Sequence, residues 1–196
     1  MPPSLFPAFI KLAGRRCVVV GAGSVASSKI TSLLDCGAQV TVVAPRATKS
    51  VEQLAASRKI RWLPRKFAPA DLERTFLVIA ATSDRTVNRA VFLSAESRGI
   101  LCNSVDDPPN CDFYFPAIVR RGPLQIAIST SGESPALAQR IRREIEESLD
   151  QPIGDWLEGI GETRREILSS LPPSDERKKL LHRLAYSEPA ELETEP

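Results

Sequence analysis

Apolar residues fall along this chain in two alternating rhythms. Arg16-Cys17-Val18-Val19-Val20-Gly21 is a short β-branched run of the kind that forms a fully buried parallel strand. Over 24–36, Val25, Ile30, Leu33 and Leu34 then recur with the spacing of one helix face. Gly37 reads as a helix stop, Gln39-Val40-Thr41-Val42-Val43 as a second strand and Ala44-Pro45 as its end, which makes a βαβ unit. The alternation predicts a helix around 51–57, a strand over 60–63, a short helix around 68–73 and a strand over 76–81. A helix over 86–98 carries Val87, Ala90, Val91 and Ala95 on one face, and a strand follows over 100–105. Strands alternating with helices predict an open parallel sheet.

Past Asp106 the pattern changes. Asp107-Pro108-Pro109-Asn110 reads as a loop, 113–119 as an aromatic strand, Arg120-Arg121-Gly122-Pro123 as a turn and 124–129 as an alternating strand, together an antiparallel hairpin. Ser134-Pro135 supplies an N-cap and a first-turn proline for a helix to about 149, which Gln151-Pro152 ends. Trp156, Leu157, Ile160, Ile167, Leu168 and Leu171, then Leu180, Leu181 and Leu184, mark two amphipathic helices around Pro172-Pro173, and the last ten residues form an acidic tail expected to fray. The fold class expected is α/β: a Rossmann-like parallel sheet domain over 1–112, a small α+β dimerisation module over 113–149 and a C-terminal helical region over 150–196. Such a thin second module is expected to complete its core against a second copy of the chain, the alternative being that it packs on its own sheet.

Composition narrows the function classes. The 196 residues are 42% hydrophobic and 26% charged with a net charge of +2, which suits a folded chain and excludes a broadly basic surface, so neither nucleic acid nor membrane is an expected partner. No apolar run is long enough for a membrane span, and 1–12 lacks the pattern of a signal peptide, so a cytoplasmic location is expected. Cys17, Cys36, Cys102 and Cys111 form no C-x-x-C pair and the chain has one histidine, His182, so the cysteines read as reduced thiols and no resident metal is expected. Carboxylates, hydroxyls and a cofactor must then carry any chemistry.

Gly21-Ala22-Gly23-Ser24-Val25-Ala26 fits G-x-G-x-x-G/A between a strand and a helix, where a dinucleotide pyrophosphate is held; a Rossmann-like sheet with a vestigial site is the alternative. Gly21 permits the tight turn, Gly23 lets backbone approach a phosphate, and Ala26 lets helix pack on strand. Ala44-Pro45-Arg46 replaces the acid that would hold the ribose of NAD, and the charge of Arg46 would also suit a 2′-phosphate, leaving NAD and NADP both open. Thr82 and Asn103 fall at the carboxyl ends of the fourth and fifth strands, and Asp106 beside them is a candidate acid or base, or an Asx turn before Pro108. The hydroxyl-rich loop with Thr130 and Ser131 suits carboxylates or phosphates, or simply caps the next helix. Arg120 and Arg142 would meet an anionic substrate, or lie on a solvated helix face.

Several motifs in order resemble the precorrin-2 dehydrogenase / sirohydrochlorin ferrochelatase family, which includes the N-terminal part of multifunctional siroheme synthase. They are Gly21 through Lys29, Ile79-Ala80-Ala81-Thr82, Thr86-Val87-Asn88, Cys102-Asn103-Ser104-Val105-Asp106, Phe115-Pro116-Ala117-Ile118-Val119 and Ser134-Pro135-Ala136-Leu137-Ala138. The resemblance implies NAD-dependent oxidation of precorrin-2, a polycarboxylate tetrapyrrole, to sirohydrochlorin, with ferrous iron insertion in some members, and an intertwined homodimer. It implies that Asp106 is the essential carboxylate, taking protons and guiding iron as it enters. It also implies nucleotide contacts at Ser24, Val25, Pro45 and Arg46, which join Gly21 and Gly23 of the loop and Thr82 as expected cofactor residues, and substrate contacts are expected among Asn103, Arg120, Thr130, Ser131 and Arg142. Thr130 stands where some relatives carry a serine, and the methyltransferase step is expected from another protein. The competing readings are a dehydrogenase of another small metabolite and a non-catalytic NAD(H) sensor.

Overall fold

The computed structural model describes residues 5–150 and 152–186, and these divide between two compact units, Met1–Tyr114 and Phe115–Pro196. In the first unit the expected alternation holds: β1 (Arg16–Val20), α1 (Ser24–Asp35), β2 (Gln39–Val43), α2 (Lys49–Ala56), β3 (Arg61–Leu63), β4 (Leu77–Ala80), α3 (Arg85–Glu96) and β5 (Leu101–Ser104). The strands form one parallel sheet in the order β3-β2-β1-β4-β5, with Val20 beside Val43 on one side and Ala80 on the other. Every residue of β4 is buried, and so is every residue of β1 after Arg16, which is why both read as unbroken apolar runs. Val18, Val20, Val78, Ala80 and Cys102 pack with Leu72, Val91, Ala95 and Ile100 in one cluster, while the alternate residues Val19, Ile79 and Asn103 point to the opposite face.

Several local expectations are corrected. The short helix near 68–73 is a 3₁₀ turn, Pro69–Leu72. On α1 the buried stripe is Ala26, Ile30 and Leu33, whereas Val25 is 47% exposed in the first turn, where the helix emerges from the loop. On α3 the buried stripe is Asn88, Val91 and Ala95, and Ala90 is exposed. A helix face is set by 100° steps, and the expected face was rotated because a polar residue was left off it.

In the second unit β6 (Ala117–Arg121) and β7 (Leu124–Ile128) form an antiparallel hairpin, followed by α4 (Pro135–Ser148), α5 (Ile153–Ser170) and α6 (Asp175–Leu184). The aromatic residues 113–115 lie outside the strand expected there, because Pro116 has no N–H to donate and the Phe113 carbonyl already accepts from Asn103 Nδ2 (2.8 Å). Arg120 and Arg121, expected in the turn, extend β6, so that Gly122-Pro123 alone turns the chain, with Gly122 at φ 52°. Ser134 Oγ caps α4 by accepting from the Leu137 N–H (3.2 Å). Arg121 donates to Glu146 Oε1 (3.1 Å) and joins α4 to β6. Position 151 of the expected helix break and the acidic tail over 187–196 lie outside the described residues.

Candidate active site

The glycine loop lies between β1 and α1. Gly21 has φ 110°, and a Cβ placed on it would fall 2.3 Å from the Ala81 carbonyl oxygen, so bare backbone is required where the loop crosses the end of β4. Gly23 is the opposite case. Its φ is −80°, which any residue adopts, and a Cβ on it would meet nothing within 4 Å. The protein's own packing does not require a glycine at 23, but a phosphate approaching the backbone does. Gly23 is also the N-cap of α1 and offers no side-chain cap, and the first turn has no acid. The leading N–H groups of Ser24 and Val25 are thus left for an anion, and the loop fits a nicotinamide dinucleotide.

The exposed residues Pro45 and Arg46 follow β2, and two hydrogen bonds fix their segment. Trp62 Nε1 donates to the Ala44 carbonyl (3.0 Å), and the Thr48 N–H donates to the Ala22 carbonyl inside the glycine loop (3.1 Å). Ser27 Oγ and Thr48 Oγ1 each lie 3.0 Å from Ser50 Oγ, linking the first turns of α1 and α2.

Thr82 sits just past β4 and is locked by Asn88. Its N–H donates to Asn88 Oδ1 (3.1 Å), its hydroxyl lies 2.7 Å from the same oxygen, and Asn88 Nδ2 donates back to the Thr82 carbonyl (3.0 Å). Asp84 caps α3 by accepting from the N–H groups of Thr86 (2.8 Å) and Val87 (3.3 Å). Asn88 and Asp84 were given no role by sequence reasoning. The available signal was an asparagine on the apolar stripe of α3, since a buried amide needs partners.

Asp106 lies beyond β5 at φ 58°, an unfavourable value for a residue with a side chain. The backbone on either side is held: the Val105 N–H donates to the Ala80 carbonyl (2.9 Å) and the Asp107 N–H to the Ser104 carbonyl (3.2 Å). Lys29 of α1 is half-buried. Burial pushes its ammonium below the ordinary 10.5, and the Asp106 carboxylate pulls it back up. Asn103 is buried, with Nδ2 donating to the Phe113 carbonyl and lying 3.5 Å from Cys111 Sγ. Burial pushes the thiols of Cys17 and Cys102 up to about 11 and about 12, so neither is a ready nucleophile. Among the described residues no group of His, Cys, Asp and Glu is arranged to hold a metal ion.

Thr130, Ser131, Arg120 and Arg142 belong to the second unit. Thr130 Oγ1 accepts from the Ser134 N–H (3.2 Å), and Ser131, at φ 52°, donates its N–H to Ser129 Oγ (3.1 Å). Arg120 is exposed on β6. Arg142 already pairs with Glu146 and donates from Nε to Gln139 Oε1 (3.2 Å), so part of its donor capacity is used.

Comparison with known proteins agrees with this geometry. A family model described as "Putative NAD(P)-binding" matches residues 8–117. The chain belongs to this NAD(P)-binding family. A second model, "Sirohaem biosynthesis protein central", matches residues 121–148. The siroheme synthase of Neisseria meningitidis serogroup C is 45% identical over 174 residues, 89% of this chain and 36% of that protein. Siroheme synthase 1 of Yersinia enterocolitica is 43% identical over 173 residues, 88% of this chain and 37% of that protein. The chain therefore spans about a third of the length of these curated relatives. The solved structure of SirC, a precorrin-2 dehydrogenase, aligns with a TM-score of 0.77 at 29% identity, covering 92% of this chain and 89% of that one. The family resemblance and the Rossmann-like α/β fold are both borne out. Among the described residues no helix is long and apolar enough to cross a membrane.

Proposed function

We propose that this chain oxidises precorrin-2 to sirohydrochlorin, acting with NAD as a cytoplasmic homodimer. The observation that carries the reading is the presence, at the carboxyl edge of one parallel sheet, of a phosphate loop left bare at Gly23 and a carboxylate, Asp106, on fixed backbone. The relatives add weight, since SirC is a precorrin-2 dehydrogenase and the curated relatives are siroheme synthases. The preference for NAD over NADP rests on the family resemblance, while the exposed Arg46 suits either ribose. The four free cysteines accord with a reducing cytoplasm.

NAD would supply a hydride acceptor. The backbone of Gly21, Gly23, Ser24 and Val25 would hold its pyrophosphate, with Pro45 and Arg46 along the adenosine side and Thr82 at the end of β4. Oxidation removes a hydride and a proton from the macrocycle, and Asp106 takes the proton and passes it to water. Arg120, Thr130 and Ser131 would meet substrate carboxylates, with Arg142 contributing the donors its own partners leave free, whereas the side chain of Asn103, whose Nδ2 is engaged by Phe113 and Cys111, would offer the substrate only its Oδ1.

The test is an anaerobic assay of precorrin-2 with NAD⁺ or NADP⁺, following sirohydrochlorin absorbance and then adding Fe²⁺ to read iron insertion by the same protein. Turnover with NAD⁺ that Asp106→Asn abolishes is the expected result. Failure to oxidise precorrin-2, or an Asp106→Asn variant as fast as the parent, would overturn the reading.

A further inference from the structure

Asp106 rides on the segment over 105–111, in which Pro108 and Pro109 have no N–H to donate. It stands there at φ 58°, a value that a residue with a side chain keeps only when its surroundings hold it. The way into the segment is held by backbone, through the Val105 N–H on the Ala80 carbonyl (2.9 Å) and the Asp107 N–H on the Ser104 carbonyl (3.2 Å). The way out is held in large part by side chains that the mechanism above does not use.

β5 is the last strand in the sheet order, so the N–H and carbonyl that Cys102 turns outward have no further strand to pair with. Asp112 takes both. Its N–H donates to the Cys102 carbonyl (2.8 Å), and its Oδ2 accepts from the Cys102 N–H (2.8 Å). On either side of it, Cys111 Sγ donates to the carbonyls of Ser104 (3.1 Å) and Asp107 (3.4 Å), and the Phe113 carbonyl accepts from Asn103 Nδ2 (2.8 Å). Cys111 also stands opposite Asn103 in an antiparallel bridge, so the chain runs back along the strand it has just left. Asp106 thus lies in a loop closed on β5, and a backbone bond and a carboxylate bond at one residue, Asp112, close it. The backbone bond forms with any residue at 112, whereas the second bond needs a side-chain oxygen there.

We infer that Asp112 is a positioning residue for the proposed oxidation: its carboxylate oxygen, held on the Cys102 N–H, closes the loop that sets Asp106 at the carboxyl edge of the sheet. The inference rests on the role given to Asp106 above. Asp112 acts through the backbone and takes no proton itself. Loss of its carboxylate leaves the loop exit on one backbone bond, so Asp106 is in place in a smaller fraction of complexes. The glycine loop is built on β1 and α1, and cofactor binding there is left intact.

Asp112→Ala, Asp112→Asn and Asp106→Asn, each with the parent, are assayed for precorrin-2 oxidation by NAD⁺ and titrated with NADH by fluorescence. Asp112→Ala is expected to lower kcat about tenfold while KM for NAD⁺ and the NADH affinity stay within about twofold. Asp112→Asn keeps an oxygen for the Cys102 N–H without the charge, and should recover most of the rate with the parent's pH profile of kcat. A fully active Asp112→Ala, a change confined to KM for NAD⁺, or an asparagine no better than alanine would overturn the inference, the last by showing that the charge at 112 and not the hydrogen bond is what counts. If Asp112→Ala does not fold by circular dichroism, Asp112→Gln, whose oxygen stands one methylene further out, takes its place, and equal rates in the asparagine and glutamine variants overturn the inference. An inactive Asp106→Asn beside a fully active Asp112→Ala rejects the role of Asp112 alone, whereas a fully active Asp106→Asn rejects the reading of Asp106 and this inference with it.

Discussion

Gly21 and Gly23 are two positions apart and are glycine for unrelated reasons. At Gly21 an added Cβ meets the Ala81 backbone at 2.3 Å in a region of φ closed to other residues. Gly21→Ala is therefore expected to cost at least about 2 kcal/mol of stability, read by denaturant unfolding. At Gly23 the added methyl meets no protein atom. Gly23→Ala should keep the parent's melting temperature while weakening NADH binding by about tenfold or more, about 1.4 kcal/mol. A Gly23→Ala variant that binds NADH like the parent would remove the phosphate from this loop. Asp106 carries a similar separation of roles. Asparagine tolerates positive φ, so Asp106→Asn should unfold like the parent and report on chemistry alone, whereas Asp106→Ala is expected to lose about 1 kcal/mol as well. The motif made the glycines legible in the sequence, because each position in it answers to a local backbone need. The positive φ of Asp106 was not legible, because it depends on how the chain is held after β5 by the bonds of Val105 and Asp107.

The elements meet this site at corners, and the best-defined corner is where β4 runs into α3. Asn88 satisfies both the N–H and the carbonyl of Thr82, groups that the strand ladder no longer pairs. Asn88→Leu keeps the size and removes every one of these bonds. It is expected to cost about 2–3 kcal/mol and to raise KM for NAD⁺, measured together by chemical unfolding and steady-state rates. An unchanged KM would mean that Thr82 does not serve the cofactor. In the second unit the corresponding bond is ionic. Hydrogen bonds from Arg121 and then Arg142 hold the Glu146 carboxyl below its ordinary 4.5. A carboxylate depressed in this way stabilises the fold above the ordinary value and loses that contribution as pH falls through the depressed one. The melting temperature of the parent should thus fall more steeply with acid below about pH 4.5 than that of Glu146→Gln, and parallel curves would assign the acid sensitivity elsewhere. Strand and helix order was legible from periodicity alone. The start of β6 and the buried face of α3 were not, since the first depended on the Asn103 bond to Phe113 and the second on a buried asparagine that periodicity counts as polar.

At the scale of the whole molecule the two units are unequally built. The first has a sheet buried on both faces, whereas among the described residues the buried apolar side chains of the second are Ala117, Val119 and Ala138, none larger than valine. A fully buried valine or leucine is worth about 1.5–3 kcal/mol, while ordering each residue costs about 1.5 kcal/mol, so so small a core does not hold a hairpin and three helices by itself. The same unit leaves Ile118, Leu137, Leu168 and Leu171 exposed and the alternate residues Leu124, Ile126 and Ile128 of β7 only half-buried. The near-zero net charge also leaves two copies free to approach without long-range repulsion. The proposed homodimer would supply the missing apolar contact. Sedimentation at micromolar concentration should give twice the 21.5 kDa chain mass, and the unfolding midpoint should rise with protein concentration as mass action requires. Ile126→Glu should shift the protein toward the monomer and lower that midpoint, while NADH binding by the first unit persists. A parent that sediments as a monomer with a concentration-independent midpoint would mean that this apolar surface is covered within one chain.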